Sequence, residues 1–393
     1  MTLHPKFTRL SSRLQHSLKT HLFSDTISKL QEKVARRGIN YDLDRLEQAL
    51  SYLNHPEESL PSTIHIAGTN GKGSVAHYLT QALRHQNRQV LTYTSPHIQC
   101  YTERFLINGT PITQDLFTEL FNAVAQADKN HYLSEYEVLT LMAFELAQRQ
   151  LPDVFVMETG LGGRLDATNV VPTSMAIITD IGLDHTNILG PTLTDIAKEK
   201  AGIIKDHAMV ITHMDHDPRV IEVIKACAKQ QSATIHWSTP KPNMHNRNKG
   251  LAVIALNELL SIENGDDIMA KIAPPFGRLS QSQYQGTPCW MDVGHNLDAA
   301  KAIHQTWPHP HPWIVGMTKE KDALPVIKYL INHSIPVRLC PFNPENSWSI
   351  DDLPDDLAQQ IQAWKIGDPV EPNSLFFGSF YFIESLLKEA HNK

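Results

Sequence analysis

A β-branched apolar run, Thr63–Ala67, passes directly into Gly68-Thr-Asn-Gly-Lys-Gly-Ser74, and a helical pattern follows from Val75. Strand, glycine-rich turn and helix N-terminus in that order turn unpaired backbone N–H groups toward an anion. Gly71 and Gly73 can adopt positive φ and let the amides approach phosphate closely, while Lys72 supplies charge for β- and γ-phosphates. Thr69, Asn70 and Ser74 complete the candidate loop. The loop departs from the GxxxxGK[ST] pattern, because Ile66 stands at its first glycine and Gly73 separates Lys72 from Ser74. In ordinary P-loop enzymes the hydroxyl directly after the lysine holds Mg²⁺. With glycine in that place, other side chains must help hold the metal. Ser95, Glu158 and His185 lie where later strands should end, which is where open α/β sheets bind ligands.

The order of elements sets the fold class. Apolar strands read at Thr63–Ala67, Gln89–Thr94, Asp153–Met157, Met175–Thr179 and Ala208–Thr212. Helical patterns lie between and beside them at Val75–His85, Gln114–Ala127, Glu137–Arg149, Leu193–Ala201 and Pro218–Lys229. Continuous apolar strands alternating with amphipathic segments predict a parallel sheet covered by helices. Residues 238–250 read as a loop opening a helix over Leu251–Ser261. Ala-Pro-Pro-Phe-Gly at 273–277 reads as a hinge. Beyond it the alternation restarts at strand Cys289–Val293, and a helix is expected over Ile350–Trp364. The expectation is a large P-loop-type parallel-sheet ATPase domain (1–272), a hinge (273–277) and a smaller Rossmann-like α/β domain (278–393).

Composition excludes several classes. The 393 residues carry a net charge of −7 with 41% hydrophobic and 20% charged residues, a globular balance that argues against a broad nucleic-acid surface. No apolar run reaches the length needed to span a bilayer. The first 18 residues have no signal-peptide apolar core; they are Arg/Ser-tinged, which leaves a transit peptide as the minor alternative. Four scattered cysteines form no metal cluster and suit a reducing, cytoplasmic setting.

The segments IHIAGTNGKGSVA, YTSPHI, METGLGGRLDATNVV, DIGLDHTNILGPTLTDIAKEKAGIIK, DVGHNLDAA, GMTKEKD and FFGSFY resemble the folylpolyglutamate synthase/dihydrofolate synthase family, relatives of the Mur ligases. The likeness runs from about residue 40 to 385. The Mur branch has a hydroxyl residue after the loop lysine and a UDP-sugar domain upstream; here Gly73 follows Lys72, and 67 residues precede Gly68. The folate branch is therefore expected.

The resemblance implies an ATP-dependent ligase that adds L-glutamate to dihydropteroate and to reduced folates through an acyl phosphate, a monomeric cytoplasmic enzyme of folate biosynthesis. Alternatives are a folylpolyglutamate synthase alone, a Mur-type ligase on another carboxylate, or, from another class, a P-loop kinase or non-catalytic ATP binder. The implied cofactors are ATP and Mg²⁺, two ions, with a monovalent cation as a further candidate; no nucleic acid or membrane is implied. Lys72, His185 and Lys200 carry over as catalytic, and Ser95, Glu158, His185 and Lys200 as metal ligands. Lys200 matches a lysine that the family carbamylates. Asn248, placed at the start of the last large-domain helix, carries over as an adenine-side residue. Arg278, Asp292 and His295 join the nucleotide site. Ser134, Tyr136, Asp166 and Ala167 match the folate site; Tyr136 would stack on the pterin and Asp166 would meet its amino-pyrimidine edge. His295 and Ser379 are implied for glutamate. The segment from Lys205 to Asn248 is short for the family.

Overall fold

The computed structural model describes residues 21–33, 43–128, 133–307 and 311–391. The N-terminal stretch for which a transit peptide is the minor alternative lies outside the described residues.

The first sheet holds β1 (Ser62–Ala67), β2 (Val90–Tyr93), β3 (Phe105–Ile107), β4 (Thr110–Pro111), β5 (Val154–Glu158), β6 (Met175–Ile178), β7 (Met209–His213) and β8 (Thr234–Ser238). Their order is β4-β3-β2-β5-β1-β6-β7-β8, parallel apart from the antiparallel β2-β3-β4 edge. Pleat alternation divides the core. Ile64, Ile66, Val154, Val156 and Ile177 pack under the helices Lys72–His85 and Met244–Leu260. Tyr93, Phe155 and Met157 pack on the opposite face under Gln114–Ala125 and Glu135–Gln150. Burying each of these aliphatic side chains contributes about 2 kcal/mol, so the sheet is fixed on both faces and its C-terminal edge becomes a firm shelf.

The second sheet holds β9 (Ser280–Tyr284), β10 (Thr287–Asp292), β11 (Trp313–Gly316), β12 (Val337–Leu339), β13 (Gln362–Ala363) and β14 (Ser374–Gly378), ordered β13-β12-β11-β14-β10-β9. All pairs are parallel except β9 with β10. Residues 271–279, which contain the expected hinge, run between the two sheets without forming a strand or helix. The expected α/β class with two sheets is observed. No helix among the described residues is long and apolar enough to cross a membrane.

Two expectations need correction. Residues 244–250 are helical, because Asn243 caps Met244–Leu260 by accepting from the Asn246 N–H. Asn248 therefore lies in the second turn of that helix, not at its start. The helix expected over Ile350–Trp364 is a 3₁₀ turn (Ile350–Asp352), a short helix (Asp355–Ala358) and β13; Pro354 has no N–H to continue a helix. The short 205–248 segment still builds β7, the helix Pro218–Gln230 and β8.

Candidate active site

The loop after β1 forms as the residue types demand. Gly71 has φ 94° and a Cβ there would strike the Asn248 carboxamide, so only glycine fits by both conformation and space. The helix begins at Lys72 itself. The Lys72 ammonium donates to the Gly68 carbonyl at 3.0 Å, and Lys200 donates to the same carbonyl at 2.8 Å. Thr69 and Asn70 dock against the loop after β6: Thr69 N–H donates to the Asp180 carbonyl at 2.7 Å, and Asn70 bridges Asp180. Ser74 is buried.

A cavity of about 140 Å³ opens over this loop. Ser95, Glu158, His185 and Lys200, the four expected metal ligands, all line it, together with Lys72, Arg278 and His295. They arrive from the ends of β2, β5 and β6 and from the helix Leu193–Ala201. Glu158 is buried and accepts from the Ser95 N–H at 3.2 Å. Burial raises its pKa, while Lys72 and Arg278 pull it back toward the carboxylate. A Cβ at Gly73 would lie 3.4 Å from Glu158 Oε2, an ordinary van der Waals contact. His185 sits at φ 49° just before the helix Thr186–Leu189, with its side chain 41% exposed to the cleft. Burial lowers its pKa, with Asp184 opposing, so the imidazole is neutral near pH 7.

Lys200 is the sharpest electrostatic feature. Burial, then the neighbouring Lys72 charge, bring its pKa down to about 7. Two ammonium groups converging on one carbonyl cannot both stay charged cheaply in a buried corner. Among the described residues, the one group of three His, Cys, Asp or Glu side chains close enough to share an ion is His55, Glu57 and Glu58, away from this cavity. The cavity itself offers the Glu158 and Asp184 carboxylates, the His185 and His295 imidazoles and the Thr69 and Ser95 hydroxyls, a donor set that suits a divalent cation that also takes phosphate oxygens.

Beside Gly71 a second cavity, about 390 Å³, is lined by Asn248, Asp180, Arg247 and Asp298. Asn248 is buried and its Oδ1 has no hydrogen-bond partner. Such an orphan calls for a ligand donor. Arg247, which sequence reasoning missed, is clamped by Asp180 at 2.7 Å and Asp215 at 2.5 Å; its place on the Met244–Leu260 helix was hidden by reading that turn as loop.

A third cavity, about 470 Å³, shares Gly73, Ser95, Glu158, Arg278 and Phe380 with the first and adds Ile98, Leu106 and Phe276. Arg278 lies over the Phe380 ring at 5.5 Å.

Six residues expected as ligands also hold the fold. Ser134 caps Glu135–Gln150, with a reciprocal bond from Glu137. The buried Asp166 carboxylate accepts from Gly160 and Leu161 N–H at 2.9 and 2.8 Å, and from Thr168 N–H, Thr168 Oγ1 and Tyr136 Oη. These donors fill the roughly four lone-pair sites of the carboxylate and close the glycine-rich loop on it. Tyr136 instead stacks on Tyr93 at 6.1 Å, and Ala167 is buried. Asp292 is buried and pins the chain entering the second sheet, accepting from Leu279 N–H at 2.8 Å and Gly294 N–H at 2.6 Å; burial lifts its pKa to about 6. Ser379 accepts from Phe382 N–H at 3.2 Å as the cap of the last helix. Asp166→Ala should therefore destabilise the fold by about 3 kcal/mol, read as a lower urea midpoint; an unchanged midpoint would deny the loop-closing role.

Two residues that sequence reasoning named no role for complete the corner. Asp184 and Lys321 form an ion pair at 2.7 Å across the two sheets' C-terminal ends. Both lie within quoted segments, DIGLDH and GMTKEKD; only their pairing was invisible.

The Mur ligase middle domain profile matches residues 66–258. The chain is 30% identical to the dihydrofolate synthase/folylpolyglutamate synthase of Bacillus subtilis, over 89% of this chain and 95% of that protein. It is 32% identical to the dihydrofolate synthetase of Saccharomyces cerevisiae, over 78% and 82%. Escherichia coli FolC in complex with DHPP and ADP superposes with a TM-score of 0.81 at 25% identity, covering 94% of this chain and 98% of that one. A Yersinia pestis bifunctional folylpolyglutamate synthase/dihydrofolate synthase complexed with AMPPNP and Mn ion superposes at 0.78 and 25% identity, covering 91% and 95%.

Proposed function

From the premise that this chain belongs to the dihydrofolate synthase/folylpolyglutamate synthase family, we propose that it ligates L-glutamate to dihydropteroate and to reduced folates at the expense of ATP. The observation that carries this reading is the convergence of Lys72, Lys200, Glu158, His185 and Arg278 on one small cavity at the ends of three adjacent strands. The loop amides and Lys72 would cradle the β- and γ-phosphates. Asn248 and the cavity behind Gly71 would hold the nucleoside, since the orphaned Oδ1 can accept from a base amino group. Ser95, Glu158 and His185 would hold Mg²⁺, which would supply positive charge for the phosphoryl oxygens.

The acceptor's flat rings suit the cavity between Ile98, Phe276 and Phe380, which opens onto Glu158 and Arg278. Its carboxylate oxygen attacks the γ-phosphorus and ADP departs, leaving an acyl phosphate. The glutamate amine then attacks the acyl carbon, loses a proton and expels phosphate. Lys72 and Arg278 act by holding anions together in a half-buried cleft, where charge contacts outweigh their value in water. Arg278 and His295 belong to the second sheet's domain and reach the cavity across the cleft. Attack is thereby tied to domain contact. Cytoplasmic localisation is part of the same reading, and the four free thiols fit a reducing compartment.

ADP release with ATP, Mg²⁺ and L-glutamate should require an acceptor and should occur with dihydropteroate and with tetrahydrofolate alike. No release with either would sink the reading. Release with tetrahydrofolate alone would leave a folylpolyglutamate synthase only.

A further inference from the structure

Lys321 reaches across the cleft from the loop after β11. Its ammonium lies 2.7 Å from Asp184 Oδ1 and 3.0 Å from His185 Nε2. An ammonium group can only donate, so this contact makes Nε2 the lone-pair nitrogen of the imidazole. A metal ion held through Nε2 would need that same lone pair. The loop that carries Lys321 is held: Trp348 Nε1–H donates to the Lys321 carbonyl at 2.9 Å, Lys321 N–H donates to Thr318 at 3.1 Å, and Thr318 bridges Ser347. His295, from the same domain, stands 3.9 Å from the second Asp184 oxygen. The ammonium is thus delivered by a braced loop to Asp184 and His185 together.

One lone pair serves one partner, and a dication beside an ammonium is repelled. We propose that Lys321 is a positioning residue that competes with the metal for His185. Before metal binds, its ammonium holds the imidazole and ties the two domains together at Asp184; metal binding expels it. Metal occupancy and this interdomain contact are then linked, and linkage is reciprocal. The inference rests on His185 being a metal ligand.

The test is Mn²⁺ titration of the whole protein without nucleotide, with free Mn²⁺ read by electron paramagnetic resonance. Lys321→Met should bind Mn²⁺ about fivefold or more tightly than wild type, and Lys321→Arg, which keeps the cation, should stay near wild type. Should Lys321→Met not fold, Lys321→Gln makes the same measurement. Lys319→Met is the control: Lys319 is in the same loop but pairs with Asp352 at 3.1 Å, so its loss should leave affinity unchanged. Equal tightening by Lys319→Met would reduce the effect to general charge and overturn the proposal, as would unchanged or weaker binding in Lys321→Met. His185→Ala separates the premise from the inference. It should lose the Mn²⁺ site, and wild-type binding there would remove His185 from the metal set.

Discussion

Lys72→Met should lower kcat about a thousandfold at saturating ATP and acceptor while the thermal unfolding curve stays close to wild type. The side chain keeps its length in methionine, so the change removes charge and little packing. Lys72 springs from the first residue of the helix Lys72–His85 and lines the same cavity as Glu158 and Arg278. Loss of one preorganised donor at developing charge typically costs 10²–10³ in kcat, and a full cation at a phosphoryl group stands at the upper end of that range. Lys72→Arg should not rescue, because the guanidinium fork cannot occupy the position of a compact ammonium 3.0 Å from the Gly68 carbonyl. Wild-type kcat in Lys72→Met, measured by ADP release, would take this lysine out of phosphoryl transfer.

Lys200→Met should be nearly as damaging, by about 10²–10³ in kcat, and its chemistry should depend on pH. The folded pKa of about 7 stands below the ordinary 10.5. The unfolded chain therefore binds the extra proton between those values, so this residue's contribution to stability grows as pH rises through that window and is at its least below pH 7. The neutral amine fraction rises over the same range. Only the neutral amine adds CO₂, forming an N–C bond and releasing a proton, and the resulting carbamate would turn a buried cation into an anionic metal ligand. With ¹³C-labelled CO₂, a carbamate signal should strengthen from pH 6 to pH 8 and vanish in Lys200→Met. A wild-type protein with no label at pH 8 would leave Lys200 as a simple ammonium or amine.

The glycine-rich loop, the cavity-lining residues at the strand ends and the two-sheet organisation were legible because each rests on near neighbours in sequence. A glycine-rich turn between strand and helix is one such signal, and continuous apolar strands alternating with helices are another. The boundaries that failed did so for equally local reasons. Asn243 supplied a cap that outweighed the loop-like composition of 244–250. Pro354 broke an apolar pattern that otherwise looked helical.

Residue type and spacing alone determined that this chain must build a phosphate cradle at β1, and that Ser95, Glu158 and His185 must end neighbouring strands. Backbone periodicity and the parallel sheet leave few other places for them. Tertiary structure alone decided which polar groups remain free to act. Asp166, Asp292 and Ser379 look like ligands in sequence, yet their oxygens satisfy buried backbone N–H groups that would otherwise be unpaired. Lys321 and Asp184 look ordinary in sequence, yet they meet across 137 residues because two sheets dock with their C-terminal edges facing. Hydrogen-bond satisfaction and domain docking are sums over the whole fold, and no local pattern carries them.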